Sequence, residues 1–273
     1  MFDGSLPPEM ERVAELVDRI SVILGRQSTV EKTVQDYSTK EIKTYCIVGD
    51  SVSKSNSFVG RKGELELIHS KLTQHPNKLF MVGMGGIGKS EISKAYCDIY
   101  REDYDAVMWV SFDTSLQKTI TNDFSFHIQG IDRSDYPDYD DRQYFMEKLK
   151  VLKKIADRRV LIVLDNFDVV DDKDLELFCS GNYSVLFTTR YHQISEDVPE
   201  FEVKEITDEE ELMALFSLEY HKTLNEAAKK EVKALLRQLG GHPLSIRLVA
   251  SAMKSNRISP EEMCQIIGKN SDI

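Results

Sequence analysis

Leu79-Phe80-Met81-Val82-Gly83-Met84-Gly85-Gly86-Ile87-Gly88-Lys89-Ser90 is the stretch that decides the fold. The apolar run from Lys78 to Val82 suits a strand buried on both faces. Gly83, four residues, then Gly88-Lys89-Ser90 is the spacing of a phosphate-binding loop. Glycines at 85, 86 and 88 let successive backbone N–H groups turn toward one anion without Cβ clashes. Downstream, Ile92, Ala95, Tyr96 and Ile99 repeat at helical spacing. The N-terminus of that helix adds its partial positive charge to the loop. Lys89 is expected to reach the β- and γ-phosphates, and the Ser90 hydroxyl to sit on Mg²⁺. From average residue frequencies about 0.01 such matches are expected in a chain of this length, so the strand–loop–helix setting is read as a nucleotide site.

Working outward, further short apolar runs occur at Ala106–Val110, Val160–Leu164, Val185–Phe187 and, weakly, Phe201–Val203. Helical patterns separate them, the clearest being Phe145, Leu149, Leu152 and Ala156. Alternating strands and helices predict an α/β domain with a parallel sheet covered on both faces. Ligands of such sheets bind at the carboxyl ends of the strands. Asp165 follows one strand there, as a Mg²⁺-holding carboxylate does. Arg190 follows another and is suited to phosphate oxygens. From Thr207 the strands stop. Thr207-x-x-Glu210 reads as a capping box. Gly240-Gly241 end a helix, His242-Pro243 open another with Leu244, Leu248 and Val249 on its apolar face, and Ser259-Pro260 opens a last one. The predicted order is an N-terminal helix (9–24) and linker within 1–55, a P-loop domain over 56–205, and a small all-α domain over 206–273.

A net charge of −11 argues against non-specific nucleic-acid or anionic-membrane binding. No apolar run approaches the ~20 residues that span a bilayer. The first residues lack the basic and apolar regions of a signal peptide. Cys46, Cys97, Cys179 and Cys264 form no C-x-x-C pair, which suits reduced thiols in a cytoplasmic protein. The acidic stretch 132–141 lacks the glycine and terminal Glu of a calcium loop and reads as a solvated loop.

Taken in order, Phe58-Val59-Gly60-Arg61, the P-loop, Val107-Met108-Trp109-Val110, Leu161-Ile162-Val163-Leu164-Asp165-Asn166, Leu186-Phe187-Thr188-Thr189-Arg190 and Gly240-Gly241-His242-Pro243-Leu244 resemble the NB-ARC branch of the STAND signal-transduction ATPases over roughly residues 56 to 268. The resemblance implies an ADP/ATP switch with Mg²⁺ on Ser90 and Asp165. It implies that Val59 and Gly60, with Arg61 beside them, bring backbone to the adenine. It further implies that Gly83 to Ser90, Ile87 and Glu91 included, line the nucleotide, that Arg190 reads the γ-phosphate, and that Pro243 packs on the base and ribose side. Many relatives carry a second acid after the Mg²⁺ ligand. Here Asn166 stands there and cannot accept a proton, which leaves Asp168 as the candidate substitute base. The family's winged-helix domain and its ADP-contacting His are not expected within these residues.

Three function classes follow. The preferred one is a signalling switch with slow or partner-dependent ATP hydrolysis, acting through a protein partner or self-association. A turnover ATPase is the alternative, and Asn166 weighs against it. A GTPase would need an Asn-Lys-x-Asp base reader, which Asn77-Lys78-Leu79-Phe80 does not supply, and no basic lid of a small-molecule kinase is found.

Overall fold

A computed structural model describes residues 46–48, 58–122, 127–129, 131–157 and 159–270. The predicted helix at 9–24 and the linker at 50–57 lie outside the described residues. Everything below concerns the unit that runs from residue 45 to 273.

Its centre is a parallel sheet. Strands β2 (Lys78–Val82), β3 (Ala106–Ser111), β5 (Val160–Asp165), β6 (Ser184–Thr189) and β7 (Glu200–Glu202) lie in the order β3-β5-β6-β2-β7. A separate antiparallel pair joins β1 (Cys46–Val48) to β4 (His127–Gln129). That β4 was not expected, since three residues are too few to show a period.

Alternation along each strand divides the core. Leu79 and Met81 face one layer, where α1 (Lys62–Thr73) and α2 (Lys89–Ile99) supply Leu65, Ile68, Ile92 and Tyr96. Phe80 and Val82 face the other, against Phe145, Leu149 and Leu152 of α4 (Asp141–Ile155), which follows α3 (Leu116–Asn122) in the chain. Ile99 was expected to bury but is 57% exposed. The row from Ile92 through Tyr96 continues to Tyr100 instead, which packs against the cluster.

After α5 (Leu175–Cys179) and the last two strands come α6 (Glu209–Tyr220), α7 (Glu226–Gln238), α8 (Pro243–Asn256) and α9 (Pro260–Asn270). They enclose their own apolar cluster around Phe216, Leu235, Leu236 and Met253. Two sequence expectations shift here. The cap of α6 is Asp208, whose carboxylate accepts from the N–H groups of Glu210 and Glu211, each at 2.9 Å. Asp is an acceptor already charged to suit a helix start, and it displaces Thr207. On α8 the bundle face is Ile246, Ala250 and Met253, whereas Leu244 and Leu248 are exposed. The helix therefore carries two apolar rows, and Leu244 of the second reaches Gly86 of the P-loop. Cys97, Cys179 and Cys264 are free thiols.

The order of strands is what assembles the site. β6 lies between the P-loop strand β2 and the Asp165 strand β5. The ends of all three therefore meet along one edge, with Val82 beside Thr189 and Leu164 beside Phe187.

Candidate nucleotide site

The loop between β2 and α2 needs its glycines at two points. Gly88 has φ +106°, a conformation that side chains rarely adopt. At Gly86 (φ +79°) a Cβ would stand 2.7 Å from the Leu244 side chain. The Lys89 ammonium curls back to donate to the carbonyls of Gly83 at 2.7 Å and Met84 at 3.0 Å. Burial draws its pKa down from the ordinary lysine range, while the Asp168 and Asp165 charges oppose that and the Arg190 charge adds to it.

Two strands away, Asp165 is 8% exposed. Its Oδ1 accepts from the Ser90 hydroxyl at 2.8 Å and the Thr188 hydroxyl at 2.6 Å. The two residues that sequence reading assigned to Mg²⁺ therefore touch. Neighbouring strands lie about 4.8 Å apart, so the P-loop and the first turn of α2 carry Ser90 over the end of the intervening strand, and Thr188 on that strand orients the carboxylate. Thr188 was quoted in a motif without a role. Its hydroxyl also accepts from the Asn166 N–H at 2.9 Å.

Beyond Asp165 the chain turns sharply. Asn166 sits at φ +62°, a left-handed conformation that Asn tolerates better than most side chains. Phe167 explains the turn. It is fully buried, stacks edge-on against Phe112 and Phe187, and donates its N–H to the Thr188 carbonyl at 2.7 Å. That anchor leaves Asn166 and Asp168 on the cavity wall. Asp168 is held by Arg190. Its Oδ1 accepts from the Arg190 N–H at 2.8 Å, and its Oδ2 accepts from Nε at 2.7 Å and lies 2.6 Å from Nη2. Burial alone would raise the Asp168 carboxyl, but the hydrogen bonds and charge of Arg190, helped by Lys89, hold it below the ordinary carboxylate range.

The roof comes from the helical segment. His242 caps α8; its Nε2 lies 3.1 Å from the Gly85 carbonyl and its Nδ1 3.4 Å from the Ser245 N–H. Both contacts are satisfied when Nε2 carries the proton and Nδ1 accepts. The Leu244 N–H donates to the Gly86 carbonyl at 3.3 Å. These contacts seat Pro243 on the cavity wall.

Between floor and roof is a cavity of about 590 Å³. The expected residues Val59, Arg61, Gly85 to Ser90, Glu91, Asp168, Arg190 and Pro243 line it, together with Asn166. Gly83, Gly60 and Asp165 are not on its wall. Gly83 and Asp165 accept hydrogen bonds from the wall residues Lys89 and Ser90, and Gly60 lies under the Glu211 carboxylate, which would meet a Cβ there. Arg61 is 5% exposed; its guanidinium donates to Glu64 at 3.1 Å and the Lys204 carbonyl at 2.8 Å, yet its Nη2 has no hydrogen-bond partner. Sequence reading missed Ile206, Leu215 and Arg247, which complete the wall from the helical side. Arg247 falls one turn after Pro243 on α8, a spacing that could have flagged it.

The family model for the NB-ARC domain matches residues 61–224. The chain belongs to the NB-ARC family. As an NB-ARC domain it is a P-loop module of the nucleotide-binding ATPase class. No curated protein matches it in sequence. Among solved structures it is similar to the Walker-type ATPase PABY2304 of Pyrococcus abyssi, with TM-score 0.53 and 12% identity over 80% of this chain and 74% of that one. It is similar to the STAND protein PH0952 of Pyrococcus horikoshii, which has a tetratricopeptide repeat sensor, with TM-score 0.51 and 19% identity over 75% of this chain and 31% of that one. The Hsp104–ADP complex of S. cerevisiae gives TM-score 0.51 and 17% identity over 73% of this chain and 31% of that one. These likenesses concern the fold. The chain spans under a third of the length of the latter two. Among the described residues no helix is long and apolar enough to cross a membrane.

Proposed function

We propose that this NB-ARC domain is an adenine-nucleotide switch that binds ADP or ATP with Mg²⁺ and hydrolyses ATP slowly. The observation that carries the reading is one cavity bounded by the P-loop, Asp168, Arg190 and the helical segment together. Such a cavity lets a nucleotide hold the two segments in one arrangement and so report its own identity.

The residues fit a nucleotide. Beside Arg61, the side chains of Val59, Ile206 and Leu215 make the cavity wall apolar. A flat heteroaromatic base suits that surface. Lys89 would exchange the Gly83 and Met84 carbonyls for phosphate oxygens, a stronger charge-assisted bond. The Ser90 hydroxyl and Asp165 carboxylate are hard oxygen donors suited to Mg²⁺. When bound, the ion would neutralise charge on the phosphates.

Slow hydrolysis follows from the rest of the wall. Asn166 is no general base, and the Asp168 carboxyl, held below its ordinary range by Arg190, is a weak one. General acid–base assistance is typically worth about 10²–10⁴-fold. Turnover should therefore lie below about one per minute, by analogy with unassisted switch NTPases. Phosphate release under saturating Mg²⁺–ATP tests this, and Asn166→Asp should raise the rate if the position faces the attacking water. Several turnovers per second would replace the switch with a turnover ATPase. A cytoplasmic setting and a protein partner or second copy that speeds exchange or hydrolysis complete the proposal. It assigns no role in binding nucleic acid or membrane.

A further inference from the structure

We propose that Asp168 sets the balance between ATP and ADP by storing the Arg190 guanidinium, so that a third phosphate is sensed only when it takes the arginine from the carboxylate. The inference rests on the reading above, in which Arg190 meets the γ-phosphate.

The geometry separates a fixed partner from a movable one. The Asp168 Oδ1 accepts from the Arg190 backbone N–H at 2.8 Å and from the Thr189 hydroxyl at 3.4 Å, contacts that do not depend on the guanidinium. Phe167, fully buried one residue earlier, pins the loop from below. The Asp168 side chain is 19% exposed and the Arg190 side chain 62%. The carboxylate is therefore held in place, and the guanidinium lies on it from the solvent side, through Nε at 2.7 Å and Nη2 at 2.6 Å.

Both residues share the cavity wall with Lys89, Ser90 and Asn166. A guanidinium leaving Asp168 for a phosphate would thus stay within the same cavity. Arginine forms equivalent planar contacts with carboxylate and phosphate, so the two acceptors compete for one donor group. ADP, with no third phosphate, would bind without disturbing the pair. ATP would have to displace the carboxylate, and its measured affinity would be lowered by the fraction of protein in which Arg190 is stored. Asp168 is then a positioning residue for Arg190. Removing its charge should favour ATP, the opposite of what loss of a phosphate contact or a catalytic base would do to ATP handling.

The test is a thermodynamic cycle on the full chain, titrated with Mg²⁺–ADP and with a Mg²⁺-bound non-hydrolysable ATP analogue. Asp168→Asn keeps an oxygen for the Arg190 N–H and removes the charge. It should tighten the ATP analogue about two- to fivefold relative to ADP, the scale of a partly exposed ion pair. In an Arg190→Ala background the same change should leave the ratio unmoved. If Asp168→Asn weakens both nucleotides alike, or if its gain persists without Arg190 as simple relief of charge repulsion, storage is overturned. If Asp168→Asn does not fold, Asp168→Ser, a smaller polar substitute, carries the same expectations. Arg190→Ala alone tests the underlying reading. Equal losses for both nucleotides there would overturn γ-phosphate sensing itself, whereas a selective ATP loss together with an unmoved ratio in Asp168→Asn would overturn storage alone.

Discussion

Gly241→Ala probes the joint between the helical segment and the nucleotide cavity. Gly241 has φ +72°, and a Cβ there would stand 2.0 Å from the Ile206 carbonyl oxygen, against 3.4 Å for ordinary contact. The neighbour is backbone, so it cannot swing aside. A retreat of more than an ångström also strains the bond from the Ile206 N–H to the Gly241 carbonyl, now 3.0 Å. The left-handed backbone costs alanine about 1–2 kcal/mol, and the lost hydrogen bond about 1 kcal/mol. The stiffer unfolded chain returns about 0.4–1 kcal/mol. The net expectation is about 2 kcal/mol of destabilisation before any steric penalty. Gly240→Ala is the control. Gly240 has φ +61° but nothing within 4 Å of its Cβ position, so only the backbone terms apply, roughly 1 kcal/mol. Equilibrium urea unfolding followed by far-UV circular dichroism reads both. Because Ile206 and Pro243 line the cavity, ADP affinity should fall with Gly241→Ala and hold with Gly240→Ala. Equal effects of the two, or less than about 0.5 kcal/mol for Gly241→Ala, would refute the reasoning.

Three further outcomes are expected. Lys89→Ala should abolish tight binding of ADP and ATP alike, since among the described residues no other lysine lies on the cavity wall; unchanged ADP affinity by calorimetry would contradict the phosphate-loop assignment. Asp165→Ala should remove most of the Mg²⁺ dependence of binding while ADP itself still binds, and a wild-type affinity insensitive to EDTA would contradict that role. The Asp168 carboxyl is held below its ordinary value, so its pairing contributes stability above the unfolded pKa of about 3.9 and loses it as pH falls through the lowered folded value. The difference in melting temperature between wild type and Asp168→Asn should accordingly be flat from pH 6 to 8 and change only in acid below about pH 4.

The parts legible in the sequence were those with strong local signatures. The P-loop announces itself through glycines with no alternative use, and fully buried parallel strands such as Val160–Asp165 appear as unbroken apolar runs. Asp165 and Arg190 could be named because ligands gather where strands end. What the sequence hid depends on contacts distant along the chain. The Asp168–Arg190 pair spans 22 positions and the His242–Gly85 contact 157, and neither leaves a periodic trace. Asp168 therefore reads as a candidate base, with no sign in the sequence of its bond to Arg190. The α8 face was misread for a related reason. Leu244 and Leu248 match a helical period as well as Ile246 and Ala250 do, and only the position of Gly86 explains why Leu244 is placed off the bundle face.

The central claim is that the cavity is an adenine-nucleotide switch, and the nucleotide carried by the purified protein tests it most directly. Protein prepared without added nucleotide should be denatured and the released small molecules separated by ion-exchange chromatography. The account predicts ADP at near-stoichiometric amounts in wild type, with little ATP and no guanine nucleotide, and none in Lys89→Ala. A guanine nucleotide, or equal adenine nucleotide in wild type and Lys89→Ala, would contradict it.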